Sequence, residues 1–303
     1  MNFRLRTFVS VARHLSFTRA AQELYITQPA VTRHIKELES QVGTSLFDRH
    51  GTSISLTKAG EVMLFHAEKI LDSYRRMQFD MNMLTGNFSG ELRIGASSTI
   101  AQYVLPACLA RFSTRYPEIR TTLDTGNSRQ MTQALFSHSI DLALVEGETR
   151  HTGIHYEPFM RDELVLVTGS HSLYATRETI TPEELTTLPI VLRENGSGTL
   201  EVIERRLNDH HIKLSSLNVI MQIGSTEGIK SFLSDYDCVA LLSVRAVTRE
   251  LLSDTLTVID IDGLTFEREF SFATLQGNPG SIAESFIRFA TETPAHTRKS
   301  NRK

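Results

Sequence analysis

Phe17-Thr-Arg-Ala-Ala-Gln-Glu-Leu-Tyr-Ile-Thr-Gln-Pro-Ala-Val-Thr-Arg-His-Ile-Lys-Glu-Leu-Glu39 reads as a helix, a tight turn and a second helix. Ser16 is an N-cap candidate for the first, which runs from Thr18 and turns Ala20, Ala21 and Leu24 inward; the small Ala20-Ala21 pair lets another helix approach closely. Tyr25-Ile26 ends it. Thr27 caps the next helix, and Pro29 falls in its first turn, where a missing N–H is harmless. Val31, Ile35, Leu38 and Val42 are spaced four, three and four apart and predict the inward face of that helix, which Gly43 ends. The opposite face begins at Thr27 and carries Gln28, Pro29, Ala30, Thr32, Arg33 and Lys36. These types suit a major groove. Gln bonds an adenine edge bidentately, Pro and Ala meet a thymine methyl, and Arg forks onto guanine or phosphate.

The flanks extend the reading. Leu5, Phe8, Val9 and Ala12 make one apolar face of a preceding helix. Leu46 to Leu56 reads as two short strands around His50-Gly51, a wing from which Arg49 and Thr52 would reach the DNA backbone or minor groove. A small helical bundle with a solvated polar face is the competing account of the spacing. Charge argues against it. Residues 1–58 hold eight Lys/Arg and four acids, a balance of +4, which leaves −7 for the rest of a chain whose total is −3. A basic head on an acidic body points to a polyanionic partner for the head alone.

Length and composition set the frame. A chain of 303 residues predicts two or three domains, and 40% hydrophobic with 22% charged residues is the balance of a soluble globular protein. No apolar run approaches the roughly 20 residues of a membrane span. The start, Met1-Asn-Phe-Arg-Leu-Arg, carries no secretory signal, which places the chain in the cytoplasm. Cys108 and Cys238 lie far apart in apolar surroundings without metal spacing and read as buried reduced thiols.

Phe17 through Glu39, with Leu46-Phe-Asp-Arg49 and Leu56-Thr-Lys-Ala-Gly60, closely resembles the winged helix-turn-helix of LysR-type transcriptional regulators. The length and order of the later chain fit that family too. The resemblance implies a bacterial activator or repressor, a dimer of dimers, with RNA polymerase as a further candidate partner.

Thr57 reads as the N-cap of a long connecting helix, with no breaker until Gly86. Met63, Ala67, Ile70, Tyr74, Met77, Met81 and Leu84 recur at alternating spacings of four and three, a heptad seam sustained for three repeats. That period predicts a dimerisation helix, and a dimer would present two recognition helices to a site of approximate dyad symmetry. The stripe's other reading is packing on its own chain. Thr85 to Gly90 is a turn-rich linker.

From Glu91 onward short β-rich runs alternate with helices, an α/β pattern with mainly parallel sheets. Ile154–Phe159 and Leu164–Thr168 read as separate strands, and Ala101–Tyr116 as part of one helix. The resemblance implies an effector domain of two subdomains like those of periplasmic solute-binding proteins, crossed twice, near Arg161-Asp162 and Thr265–Arg268. The expected architecture is a winged helix-turn-helix domain at 1–58, a linker helix and hinge at 59–90, and an effector domain at 91–303. Subdomain one comprises 91–161 and 268–303, and subdomain two 162–267; Arg298 to Lys303 reads as a disordered tail.

Ligands of open α/β sheets lie beyond the carboxyl ends of strands, near helix N-termini. Ser97-Ser-Thr99, Gly126-Asn-Ser128, Glu194-Asn-Gly-Ser-Gly-Thr199 and Gly224-Ser-Thr226 occupy such places and are rich in hydroxyl and amide donors. Taken singly each is an ordinary cap; four together favour a small anion. By the resemblance, the effector-binding role falls on Ser97, Ser98, Thr99, Ser128, Gly198, Thr199 and Thr226, with Val145, Arg193 and Asn195 beside them. Arg193 has two readings, an anion partner or a structural partner of Glu194 or Glu201. Nothing points to catalysis, a cofactor or a metal. The histidines have no ligand spacing, no GxSxG or P-loop occurs, and no nucleophile accompanies Asp124, Asp141 or Glu146.

Overall fold

The structure, a computed structural model, describes residues 2–50, 53–84, 89–276 and 280–292, and its contacts divide the chain into Met1–Gly90 and Glu91–Lys303. Thr52, residues 85–88 and the tail at 298–303 lie outside the described residues, as do the side chains of Arg49 and Leu84.

The first unit begins with α1 (Asn2–His14), α2 (Phe17–Glu23) and α3 (Gln28–Val42). Leu5, Phe8, Val9 and Ala12 of α1 pack with Ala20, Ala21, Val31, Ile35 and Leu38 in one core. Both expected caps form. Ser16 Oγ accepts from Arg19 N at 3.2 Å, and Thr27 Oγ1 accepts from Ala30 N at 3.4 Å. Val42 departs from the expected inward face and is 43% exposed. It is the last residue of α3, and after the turn at Gly43 the core place goes to Leu46, which is fully buried. The wing is an antiparallel pair, β1 (Phe47–His50) and β2 (Ser53–Leu56).

Helix α4 (Lys58–Leu84) is 27 residues long, and Thr57 Oγ1 caps it by accepting from Gly60 N at 2.9 Å. A Cβ at Gly60 would lie 2.1 Å from the backbone oxygen of Leu46, so the absence of a side chain lets the helix start against the wing. The seam expected to face a partner is divided. Ala67 is fully buried and Met63 partly so, both against the core of their own unit, with Leu64 and Leu71 beside them. From Ile70 onward the stripe is exposed at Tyr74, Met77 and Met81, because α1 through α3 are too short to cover a helix of this length.

In the second unit a ten-stranded sheet runs β4-β3-β5-β12-β6-β10-β8-β9, with β11 also on β6 and β7 on β11. Its strands are β3 (Gly90–Ser97), β4 (Ile119–Gly126), β5 (Leu142–Val145), β6 (Ile154–Gly169), β7 (Thr179–Ile180), β8 (Ile190–Leu192), β9 (Val219–Gln222), β10 (Val239–Ser243), β11 (Leu256–Ile261) and β12 (Phe266–Leu275). The helices are α5 (Ser98–Tyr103), α6 (Leu105–Arg115), α7 (Ser128–Phe136), α8 (Pro182–Leu185), α9 (Gly198–Asp209), α10 (Thr226–Asp235), α11 (Val244–Leu252) and α12 (Ser281–Glu292).

The sheet is more mixed than the alternation of elements predicts. β3–β5, β8–β9 and β8–β10 are parallel, but β6 pairs antiparallel with β10, β11 and β12, and β5 with β12. The two expected strands at 154–159 and 164–168 are one strand, β6. The charged Arg161-Asp-Glu163 interrupts the apolar pattern without ending the strand, because β12 continues the ladder there, pairing Arg268 with Asp162 and Glu269 with Arg161. The expected helix through Ala101–Tyr116 is two, with Pro106, which has no N–H to donate, in the first turn of α6. The long strands β6 and β12 connect two sets of cores. One holds Ile94, Leu144, Phe272 and Phe286, with Met131 and Leu135 in a neighbouring cluster. The other holds Leu166, Ile190, Ile203 and Leu241, with Ile229 and Leu233 adjoining.

Candidate DNA-reading surface and ligand cleft

On α3, Gln28, Pro29, Arg33 and Lys36 are exposed, while Ala30 and Thr32 are partly exposed. All six share the outer face, and Thr27 caps its start. Gln28 Nε2 donates to Thr32 Oγ1 at 3.2 Å, which aligns the two polar groups on adjacent turns. Arg33 is 76% exposed and pairs with Glu37, its Nε 3.0 Å from Oε1. Glu37 also takes Arg4 of α1, Nε to Oε2 at 2.8 Å, a contact that spacing along α3 does not reveal. The inner side is fixed by neighbours. Thr7 Oγ1 lies 3.3 Å from His34 Nδ1, and Glu39 accepts from Leu46 N at 2.8 Å.

In the second unit, the carboxyl ends of β3, β4, β5, β8 and β9 bring together loops from both core sets. Arg193, at the end of β8, is buried and joins the two sides. Its Nη2 donates to Ser98 Oγ at 2.9 Å, and its Nη1 donates to Thr226 Oγ1 at 3.2 Å. Its partner is Glu194, Nε to Oε2 at 2.9 Å, so the structural reading through Glu194 holds; Glu201 instead accepts from Thr149. Thr199 makes the second link. Its Oγ1 donates to Glu146 Oε1 at 3.2 Å and accepts from Arg268 Nη1 at 2.9 Å.

Gly198 sits where the sides meet. A Cβ there would lie 2.6 Å from Ser128 Oγ and 2.6 Å from the backbone nitrogen of Gly147. Ser128 therefore adjoins Gly198, while Ser98, with Ser97 and Thr99 on either side of it in the chain, meets Thr226 through Arg193. Two expected residues do not contribute side chains. Val145 packs inward in a hydrophobic core, and Asn195 points to solvent. Ser197, inside the Gly-Ser-Gly loop, does contribute. The hydroxyl oxygens of Ser97, Ser128 and Ser197 are buried without a hydrogen-bond partner in the protein. Leaving such a group unsatisfied costs about 1–3 kcal/mol.

Below this cleft runs a charge chain that the linear sequence hides. Arg268 Nη1 lies 3.0 Å from Glu146 Oε2, Arg268 Nε lies 2.7 Å from Asp162 Oδ2, and Ser243 Oγ donates to Asp162 Oδ1 at 2.8 Å. Both arginines are thus paired with carboxylates, while Arg268 Nη2, like the hydroxyls of Ser97, Ser128 and Ser197, is buried without a hydrogen-bond partner in the protein. At the edge, Tyr103 of α5 donates to Glu227 of α10, whose carboxylate also receives Lys230 at 2.8 Å. Burial, together with the hydrogen bond and charge of Glu227, pushes the Tyr103 phenol well above its usual range. Burial by itself would raise Glu227, but hydrogen bonds from Lys230 and Tyr103 outweigh it and hold the carboxyl below its ordinary value. The thiols are remote. Cys108 and Cys238 lie in different cores, and burial raises both, Cys238 up to about 11 with Asp237 adding to the effect.

A polar outer helix face in a winged helix-turn-helix, and donor-rich loops at strand carboxyl ends of an α/β unit, are the features of a DNA-binding protein with a second, regulatory domain. The bacterial regulatory helix-turn-helix protein of the lysR family matches residues 3–61, and the LysR substrate binding domain matches residues 85–295. The chain belongs to the LysR family of transcriptional regulators, and it is not an enzyme. It is 32% identical to the RuBisCO operon transcriptional regulator of Allochromatium vinosum, over 94% of this chain and 93% of that one. A full-length OxyR variant of Pseudomonas aeruginosa has the same fold, with a TM-score of 0.74 and 18% identity over 97% of this chain and 95% of that one. The regulatory domain of Synechocystis CcmR, solved in complex with 2-PG, matches with a TM-score of 0.60 and 26% identity, covering 67% of this chain and 96% of that domain. Among the described residues no helix is long and apolar enough to cross a membrane, and no cluster of His, Cys, Asp or Glu is arranged for a metal.

Proposed function

We propose that this regulator reads a dyad-symmetric DNA site with the outer face of α3 and answers to a small anionic metabolite held at the cleft of its second unit. The three buried hydroxyls of Ser97, Ser128 and Ser197 are the observation that supports the ligand most directly. Helices α7, α9 and α10 begin beside them, and N-terminal amides favour negative charge. The likeness to CcmR, solved with 2-PG, favours a small anion of that kind. Thr27, Gln28, Pro29, Ala30, Thr32, Arg33 and Lys36 contact the groove, and the wing carries Arg49 and Thr52. Two copies pair through the exposed stretch Ile70, Tyr74, Met77 and Met81 of α4. Two such dimers form the working tetramer in the cytoplasm, where RNA polymerase is the further partner. Ligand binding shifts the two sides of the cleft between arrangements, and that shift re-spaces the DNA-binding heads.

The test is thermal unfolding of the full chain against 2-PG, sulfate, thiosulfate and dicarboxylates. A binder at 100 times its Kd adds about 2.7 kcal/mol, a shift of several degrees. Ser128→Ala should weaken that shift without lowering the ligand-free transition by more than a degree or two. No shift with any anion would remove the ligand reading. Met77→Glu, with a charge in the exposed stripe, should reduce the sedimenting species below the tetramer; an unchanged species would remove the pairing through α4.

A further inference from the structure

The carboxylate of Glu37 stands among the cations of the surface proposed to face DNA. It accepts a hydrogen bond from Nε of Arg33 on its own helix at 3.0 Å, and forms an ion pair with Arg4 of α1, whose Nε lies 2.8 Å from its other oxygen. The Nη nitrogens of both guanidiniums have no protein acceptor among the described residues. These are atoms with which arginine forks onto phosphate or a guanine edge. Glu37 therefore does two separable things. It fixes the direction of two forks, and it cancels one of the two positive charges they bring.

Those effects act unequally on the two kinds of DNA complex. Non-specific binding is driven by charge and counterion release and is insensitive to the direction of a fork. Base reading depends on direction. A carboxylate in this place lowers affinity for arbitrary DNA more than affinity for the right site, and it also repels phosphates that approach in a wrong register. We propose that Glu37 is a specificity-determining residue of the DNA-reading surface, acting by holding Arg4 and Arg33 in one orientation while suppressing charge-driven binding. The proposal rests on the reading of the outer face of α3 given above.

The experiment compares full-length wild type, Glu37→Gln, Arg33→Ala and Glu61→Gln. Two probes are titrated across KCl concentrations: a duplex of arbitrary sequence, and a duplex selected by the wild type from a random pool. Glu61 lies in the first turn of α4, so its variant makes the same change in net charge away from α3. For Glu37→Gln, affinity for the arbitrary duplex should rise about 1.5- to 5-fold, the size of an exposed ion pair. The salt dependence should steepen by up to about 0.9 in the log–log slope. Affinity for the selected duplex should stay level or fall, so that discrimination drops several-fold.

An equal rise with Glu61→Gln would mean net charge alone and overturn the proposal. Equal loss on both duplexes would mean damage to the fold, and no change in either would also overturn it. If Arg33→Ala leaves both duplexes unaffected, the reading of the α3 face fails and Glu37 fails with it. If Arg33→Ala weakens binding while Glu37→Gln is silent, only the role of Glu37 is lost.

Discussion

Replacing Arg268 by methionine should destabilise the second unit severely. The guanidinium is fully buried, and its two partners, Glu146 and Asp162, have side chains 1% and 0% exposed. Removing the cation leaves buried Glu146 without a counter-charge, and leaves Asp162 only the more distant Arg245, whose Nε lies 3.5 Å from Oδ1. Breaking a buried pair from one side costs about 3–5 kcal/mol, because the charge left behind is uncompensated. For a unit of this length, a loss of 1 kcal/mol lowers Tm by roughly 2–4 °C, so the expected fall is about 6–20 °C. Methionine approximates the volume of the stem, which keeps the cavity contribution small. The comparison that isolates charge is Arg268→Met with Glu146→Gln and Asp162→Asn. With no anion left uncompensated, this triple variant should recover at least half of the lost stability. The assay is differential scanning calorimetry of the full chain, following the transition of the second unit. A single variant within 1 kcal/mol of wild type, or a triple variant less stable than the single one, would refute the account of Arg268 as the counter-charge joining β5, β6 and β12.

Gly198→Ala would place a methyl 2.6 Å from a backbone nitrogen and a buried hydroxyl, so it should cost about 1–3 kcal/mol and abolish any anion-induced thermal shift, with DNA binding at fixed salt as the control. Gly60→Ala meets the Leu46 carbonyl at 2.1 Å and should lower the transition of the first unit by a similar amount, read from the α-helical signal on melting. Neither thiol should react with a disulfide reagent in the native chain at pH 8, since both are buried and Cys238 is pushed up to about 11; rapid reaction before unfolding would contradict this placement. Glu227 titrates below its ordinary value, so its contribution to stability is present above about pH 4.5, its unfolded value, and is lost as pH falls through the native one. The Tm difference between wild type and Tyr103→Phe should therefore be constant from pH 5 to 8 and shrink at lower pH. A difference that grew on acidification would have the wrong sign.

The head was legible because its determinants are local. A cap at Ser16, a second at Thr27, proline in the first turn and an apolar stripe at helical spacing all act within a few residues, and the structure carries each of them. The failures are also physical. Val42 has the right spacing for the core, but a helix face is buried only as far as its neighbours extend. The heptad seam has one period along α4, yet Ala67 is claimed by its own unit and Met77 is not. The alternation of elements marked the second unit as α/β, while β6 was divided because a charged stretch looks like a loop until its partner strand is known.

The sequence by itself determined the two kinds of structure, the helix-turn-helix with its outward face, and the donor-rich loops at strand ends. Only the tertiary structure decided that Arg193 reaches Ser98 and Thr226, that Glu37 holds Arg4, and that Arg268 closes a buried chain with Glu146 and Asp162. The reason is separation along the chain. Capping and periodicity are settled over one or two turns, whereas Arg268 stands 106 residues from Asp162, and only the pairing of β6 with β12 brings them within 2.7 Å.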